Sequence, residues 1–467
     1  MERKFSAGAM GALWLLFTPP WLTCCSLDIK GTADSAASDE EIDRDAAAED
    51  GIEIEAVDTP DGADPDVPDD GLDVPGDDLP ADTLTDPDAA DPVEDVAVED
   101  FVEREPRDDW LAGWARRVRM TIDSTDIDAD LADFPVLVHI SASSGRGGDD
   151  LSFVFTELSS DLLRKRIAVT KSDGISQCFV EIERWNGSGR EAWLWVKAPS
   201  IDDETDTDLY LYFDAGHPDN IDYAGDPGSA AAENVWDGNF TFVCHMQDDL
   251  EVMGARDSTS NHNHGTKGEP DCPQEVRAMM GRGLEWDNSC GNEFVSVPDS
   301  ASLDMGSRFS AEVWVNYTKG VTPNDYERML NKKNEYHNPN GWEFSLELGQ
   351  DQRLTARGSS SVGASGIVNF VDSWAAGGWH QVVVTYDGAR VNGYRDGVFR
   401  DWHSITSVSN NNRNLFIGRY GASLSNKWFG LMDEVRLSNI IRADAWIKAS
   451  NESGRDDLIE FGIEELY

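Results

Sequence analysis

From residue 118 onward, apolar residues recur at every second position in short runs separated by turn residues. The runs are 118–122, 134–140, 179–183, 192–196 and 209–213, then 309–315, 342–348, 380–386, 415–418 and 431–437. A period of two places alternate side chains on opposite faces, so each run suits a strand with one buried and one wet face. Asn186-Gly187, Asp387-Gly388 and Asp396-Gly397 stand between such runs and supply the positive φ of tight hairpins. Residues 443–449 form the one convincing short helix. The pattern predicts an all-β chain of two antiparallel β-sandwich domains, 109–228 and 229–467.

Charge divides the chain differently. The 467 residues carry a formal net charge of −51. Residues 31–100 hold 27 acidic side chains, one basic side chain (Arg44) and no Phe, Trp or Tyr. Such a tract cannot bury enough apolar surface to offset its ordering entropy, so 26–108 reads as a disordered, self-repelling acidic linker. A surface this negative repels phosphate, which excludes nucleic acid as a partner. Ahead of the tract, Arg3 and Lys4 precede an apolar run from 5 to 22 broken by Pro19 and Pro20. The run is too short for a comfortable membrane span and reads as a signal peptide, 1–25. Its end, Leu22-Thr23-Cys24-Cys25-Ser26, resembles a bacterial lipobox with Cys25 as the lipidated residue. The expectation is an exported protein at the outer membrane or cell surface, touching the membrane through its lipid anchor alone.

Within the first β region, Trp114, Arg116 and Arg117 are followed by Asp133-Phe134-Pro135-Val136-Leu137-Val138, Glu183-Arg184-Trp185, the 191–199 run and Leu209-Tyr210-Leu211-Tyr212-Phe213. These resemble a bacterial and archaeal domain family of unknown function found in secreted proteins, which implies no catalysis. In the second region the motifs are Asp257-Ser258-Thr259-Ser260-Asn261-His262-Asn263-His264-Gly265, the 309–315 run, Gly378-Trp379-His380, Phe416-Ile417-Gly418 and the 429–436 segment. They resemble the laminin G-like, concanavalin A-like lectin and glucanase superfamily, whose fold is a jelly-roll of two curved antiparallel sheets.

The glucanases of that superfamily need two Glu flanking an Asp on one strand face, because one carboxyl donates a proton while the other attacks. Leu431 stands where the first Glu would precede Asp433, Glu312 is alone in its run, and Ser345 separates Glu343 from Glu347. No catalytic residue is assigned, and a non-enzymatic binding module for an extracellular glycan or protein ligand is expected. Alternatives are a structural or adhesive surface protein and an atypical glycoside hydrolase.

Ca²⁺ is the candidate cofactor. Asp257, Asn261 and Asn263 offer oxygen ligands in a Gly-terminated loop, and the resemblance adds Asp433. The competing reading of Asp257 is a turn capped by its own side chain. His245, His262 and His264 suggest zinc by residue type, but no fourth ligand has convincing spacing, and they read as solvated loop residues. Trp402, Tyr420 and Trp428 lie in or beside loops and are the candidate ligand platform. Trp193 and Trp195 share a strand face and read as core. Four cysteines outside the signal region allow three pairings. Cys272 and Cys290 share a loop-rich stretch, and a bridge there would stabilise by about 3 kcal/mol. Cys178 and Cys244 read as buried thiols, with a mutual bridge as the less favoured alternative.

Overall fold

A computed structural model describes residues 107–319, 327–333, 342–348, 354–359, 365–370, 377–404, 410–421 and 426–467. The signal segment, Cys25 and the acidic tract up to residue 106 lie outside the described residues.

The expected alternation is realised locally. In Arg116–Ile122, Val118, Met120 and Ile122 point into the core while Arg119 is exposed. The strand lies between Thr207–Phe213 and Ile459–Leu466 in a five-stranded sheet that continues through Ile167–Lys171 to Gln177–Cys178. A four-stranded sheet faces it, ordered Leu131–Ile140, Glu191–Ile201, Val180–Asn186 and Ala224–Gly225. The turn after Asn186 is a hairpin, with Asn186 opposite Glu191. All pairs are antiparallel except the short Ala224–Gly225, which runs parallel to its neighbour.

The second sandwich packs an eight-stranded sheet on a nine-stranded one. In the first, Gly430–Ser438, Phe309–Tyr317, Trp379–Tyr386, Arg390–Arg395 and Val398–Ser404 are successive neighbours, and Phe240–Cys244 also pairs with Gly430–Ser438. In the second, Leu415–Ile417 lies between Val295–Val297 and Glu327–Lys333. Phe242, Trp286, Val313, Val315, Tyr317, Trp428, Met432 and Leu437 fill the core between the sheets. Asp396 and Gly397 both have positive φ, as a two-residue hairpin of the primed type requires. Gly418 has a steric reason to be glycine: a Cβ there would fall 2.1 Å from Trp286 Nε1.

Two features depart from the tandem arrangement expected from sequence. The last strand, Ile459–Leu466, belongs to the sheet of the first sandwich, with Arg116 opposite Leu466 and Ile122 opposite Ile459. The helix Asp444–Gly454 extends five residues beyond 449 and packs on Leu131–Ile140, where Trp446 meets Phe134 at 4.8 Å between ring centroids. Met280, Trp314, Trp446 and Ala449 consequently share a hydrophobic core with the first sandwich. The two sandwiches are joined by one apolar interior, and the boundary at 228/229 separates sequence families more than it separates cores.

Arg117 secures the returning strand. Its guanidinium lies 4.3 Å from the Trp110 ring centroid and 4.0 Å from that of Tyr210, and Nη2 reaches Glu465 at 2.9 Å. Stacking on aromatic faces lets an arginine be buried beside a half-exposed carboxylate without losing all its partners. Ile459 is buried in the first core, so Ile459→Ala should cost about 2–5 kcal/mol. Hydrogen exchange should show the loss of protection in Arg116–Ile122 before it appears in Phe309–Tyr317.

Candidate functional site

Two regions carry side chains arranged for more than packing: an exposed edge of the second sandwich and a buried polar cluster at the junction.

The exposed edge is the hairpin Arg390–Arg395 and Val398–Ser404, the last strand in its sheet order. Trp402 is 48% exposed, opposite Asn392 in the ladder, and the Arg390 guanidinium lies 4.6 Å from its ring centroid. Val398 and Phe399 are also exposed, and Phe399 rests edge-on against Tyr394 at 5.6 Å. An indole held by a cation on one side, with polar neighbours along its strand, can stack on an apolar face and hydrogen-bond around it.

The other two expected platform residues are not brought beside it. Tyr420 follows Leu415–Ile417 in the opposite sheet and is half-buried, with the Arg328 guanidinium 5.5 Å from its ring. Trp428 is a correction to the sequence reading. It is 0% exposed and packs against Tyr317 in the core, so its ring presents no face to a ligand. Trp193 and Trp195 are buried, as expected from their strand.

The proposed calcium residues are organisers of local backbone. Asp257 accepts from Val243 N, Thr259 N, Thr259 Oγ1 and Asn263 N, which matches the acceptor capacity of a carboxylate. Burial pushes its carboxyl up to about 6 against those four bonds. Asn263 donates to Thr241 O and Ser302 Oγ, and Asn261 donates to Phe240 O and Thr259 Oγ1. Asp433 accepts from Met280 N and Glu434 N. A Ca²⁺ at this loop would have to replace several of these bonds.

The buried cluster was not legible in sequence. Glu181 and Glu183 come from Val180–Asn186 of the first sandwich, His245 follows Phe240–Cys244, and Glu434 and Arg436 come from Gly430–Ser438. Both Glu183 and Glu434 are the extra residue in a β-bulge, lying where the ladder register shifts between Ile182 and Arg184 and opposite the Val313–Trp314 step. Glu434 also has a φ of +44°, uncommon for a residue with a side chain. Bulges re-aim side chains out of the regular alternation. His245, read from sequence as a solvated loop residue, is instead 3% exposed. His262 is exposed and pairs with Glu233 at 2.7 Å, while His264 Nδ1 accepts from Asp257 N.

Within the cluster His245 Nδ1 bonds to Glu434 Oε1 and lies 3.7 Å from Glu183 Oε2, and Nε2 lies 3.4 Å from Glu181 Oε2. Trp195 Nε1 donates to Glu183 Oε2 at 2.8 Å, and Trp236 Nε1 to Glu181 Oε2 at 2.6 Å. Arg436 donates through Nε and Nη2 to Glu434 Oε2. Burial pushes the Glu183 carboxyl up to about 8, with His245 acting in the opposite sense. Burial also disfavours the Glu434 carboxylate, but His245 and Arg436 outweigh it and hold that group low. A raised and a lowered carboxyl side by side is a pattern seen in hydrolases. Here Glu183 is 5% exposed and Glu434 is 0% exposed, and neither has the access that a polymeric substrate requires.

Cys272 and Cys290 form a disulfide, with Cα atoms 6.4 Å apart. Cys178 and Cys244 are free and buried, and burial raises both thiols to about 12, which leaves them inert.

Residues 289–448 match the family model of the concanavalin A-like lectin/glucanases superfamily. The second sandwich therefore carries a concanavalin A-like domain, consistent with its paired antiparallel sheets. Among solved structures, similarity extends to the binding domain of Paraclostridial mosquitocidal protein 1, at 16% identity and a TM-score of 0.37, covering 46% of this chain and 52% of that one. It extends also to domain 4 of an extracellular arabinanase from Geobacillus stearothermophilus, solved with arabinotriose, at 17% identity and a TM-score of 0.35, covering 45% and 97%. A third is the binding domain of botulinum neurotoxin DC in complex with SialylT, at 11% identity and a TM-score of 0.36, covering 46% and 52%. The chain thus spans about half the length of the first of these. No curated protein matches the sequence.

The contrast between the two tryptophans is measurable by chemical denaturation. Trp428→Ala should cost about 3–5 kcal/mol, as for other buried aromatics, whereas Trp402→Ala should change stability by less than about 0.5 kcal/mol.

Proposed function

We propose that this chain is an exported recognition protein, held at the cell surface by a lipid on Cys25, whose concanavalin A-like domain binds an extracellular glycan. The observation that carries the reading is the exposed indole of Trp402 on the edge hairpin of a lectin-like sandwich, with Arg390 against its ring. Carbohydrates present C–H faces that stack on aromatic rings and hydroxyls that bond to flanking polar groups. Asn392, directly opposite Trp402, and Ser404, two residues along its strand, share its face and are at least partly accessible.

Export is supported by the apolar amino-terminal run ending at Cys25 and by the Cys272–Cys290 disulfide, a bond that persists in oxidising compartments. Among the described residues no helix is long and apolar enough to cross a membrane. A recognition role fits the absence from the sequence of the paired Glu motif that the glucanases need.

Glycan-array screening of the chain without residues 1–25 should return a defined set of saccharides. Trp402→Ala should weaken the best of them about tenfold, or about 1.4 kcal/mol, by calorimetry. Binding of a protein partner with no array signal would favour the adhesive alternative, and release of new reducing ends from mixed polysaccharides would favour a hydrolase.

A further inference from the structure

We propose that Glu183, His245 and Glu434 form a binding site for one divalent first-row transition-metal ion, with Zn²⁺ the best fit, at the junction of the two sandwiches. The proposal goes beyond the recognition reading and does not depend on it.

Geometry comes first. One carboxylate oxygen of Glu183, one ring nitrogen of His245 and one carboxylate oxygen of Glu434 lie within 4.8 Å of one another, and all three residues are buried. Zn²⁺ binds nitrogen and carboxylate oxygen at about 2.0–2.2 Å, so donors this close can converge on one ion with small side-chain rotations. Two of them reach the spot because their strands bulge at that residue.

Partner groups then leave the right atoms free. Arg436 occupies Glu434 Oε2, which turns Oε1 toward His245. Trp195 holds Glu183 Oε2, while Glu183 Oε1 is buried with no hydrogen-bond partner. A buried carboxylate oxygen without a partner is costly, and a cation removes that cost. On the far side of the imidazole, Nε2 faces Glu181 Oε2 at 3.4 Å, and Glu181 is itself fixed by Trp236 Nε1 and by Ser258 Oγ at 2.7 Å. Nδ1 is paired with Glu434 in the structure, and a metal that takes Nδ1 leaves the ring proton on Nε2, on the side of Glu181.

Ion identity follows from the donors. An imidazole disfavours Ca²⁺ and Mg²⁺, which take oxygen cages, and the absence of thiolate from the donor set disfavours soft ions. One histidine and two glutamates suit Zn²⁺, with its fourth position filled by the second Glu183 oxygen or by water. Binding releases the proton between His245 Nδ1 and Glu434 Oε1, because metal ligands must be deprotonated. Since Glu183 belongs to one sandwich and His245 and Glu434 to the other, the ion cross-links the two.

The test uses the chain from residue 26 to 467. After removal of metal by a chelator, titration with Zn²⁺ should bind one ion per chain by elemental analysis and raise the melting midpoint by several degrees. Glu183→Gln and Glu434→Gln should each lower Zn²⁺ affinity at least tenfold, whereas Asp203→Asn, in the exposed acidic group Asp130–Asp202–Asp203, should leave it unchanged. Should a glutamine variant fail to fold, Co²⁺ in the wild-type chain gives the second measurement, with the intense visible bands of a four-coordinate site expected. The proposal is overturned by no retained ion and no melting shift at micromolar Zn²⁺, by stoichiometric binding that survives Glu183→Gln, by loss of binding in Asp203→Asn, or by the faint spectrum of six-coordinate Co²⁺.

Discussion

The seam between the sandwiches holds Glu181, Glu183, Asp433 and Glu434 against His245 and Arg436, nearly all out of contact with water. Charges in such a place are tolerated only when their geometry is fixed from every side. The fixing is done by large apolar groups with one polar atom each. Trp195 and Trp236 each spend their indole N–H on a glutamate, and the Arg436 guanidinium lies 4.2 Å from the Trp195 ring centroid. If either indole moved, a buried carboxylate would lose a neutral donor. The seam therefore specifies how the sandwiches meet, while Trp446, Trp314 and Phe134 supply the apolar area that holds them together.

Strand-level architecture was readable because it rests on period two. The runs at 118–122, 309–315 and 431–437 are strands as expected, but only the first has one buried and one wet face, the other two being buried on both, and Asp396-Gly397 turns as its dipeptide demands. The all-β class followed from such local patterns, and the lectin-like sandwich from the family resemblance of the motifs. The seam was not readable for the same reason. Glu183 and Glu434 leave the alternation at bulges, and a bulge is a property of two strands together. His245 was placed with His262 and His264 because all three lie close in sequence, yet its partners are 62 and 189 residues away in Glu183 and Glu434. Alternation puts Glu181 and Glu183 on the face opposite Val180 and Ile182, the one read as wet, so nothing in the run marks them as buried.

The candidate platform shows the converse limit. Loop proximity selected Trp402, Tyr420 and Trp428 together, but sequence does not reveal which face of a sheet edge a ring takes. Trp402 lies half-exposed on the last strand in its sheet order, whereas Trp428 enters the core beside Tyr317 two residues before the strand Gly430–Ser438 begins. Asp257 illustrates a similar ambiguity, since a carboxylate in a Gly-terminated loop serves a cation or the loop's own amides equally well in sequence, and here it serves the amides of Val243, Thr259 and Asn263.

The final strand has a consequence for biogenesis. Arg116–Ile122 is made early, yet its outer neighbour Ile459–Leu466 is made only after the strands of the second sandwich. The early strand stays unpaired on one side until that later segment is made, and closing so long a loop is slow. The first sandwich to emerge is the last to be completed. Products cut short before residue 459 leave an open sheet edge there, a ready template for pairing with another chain.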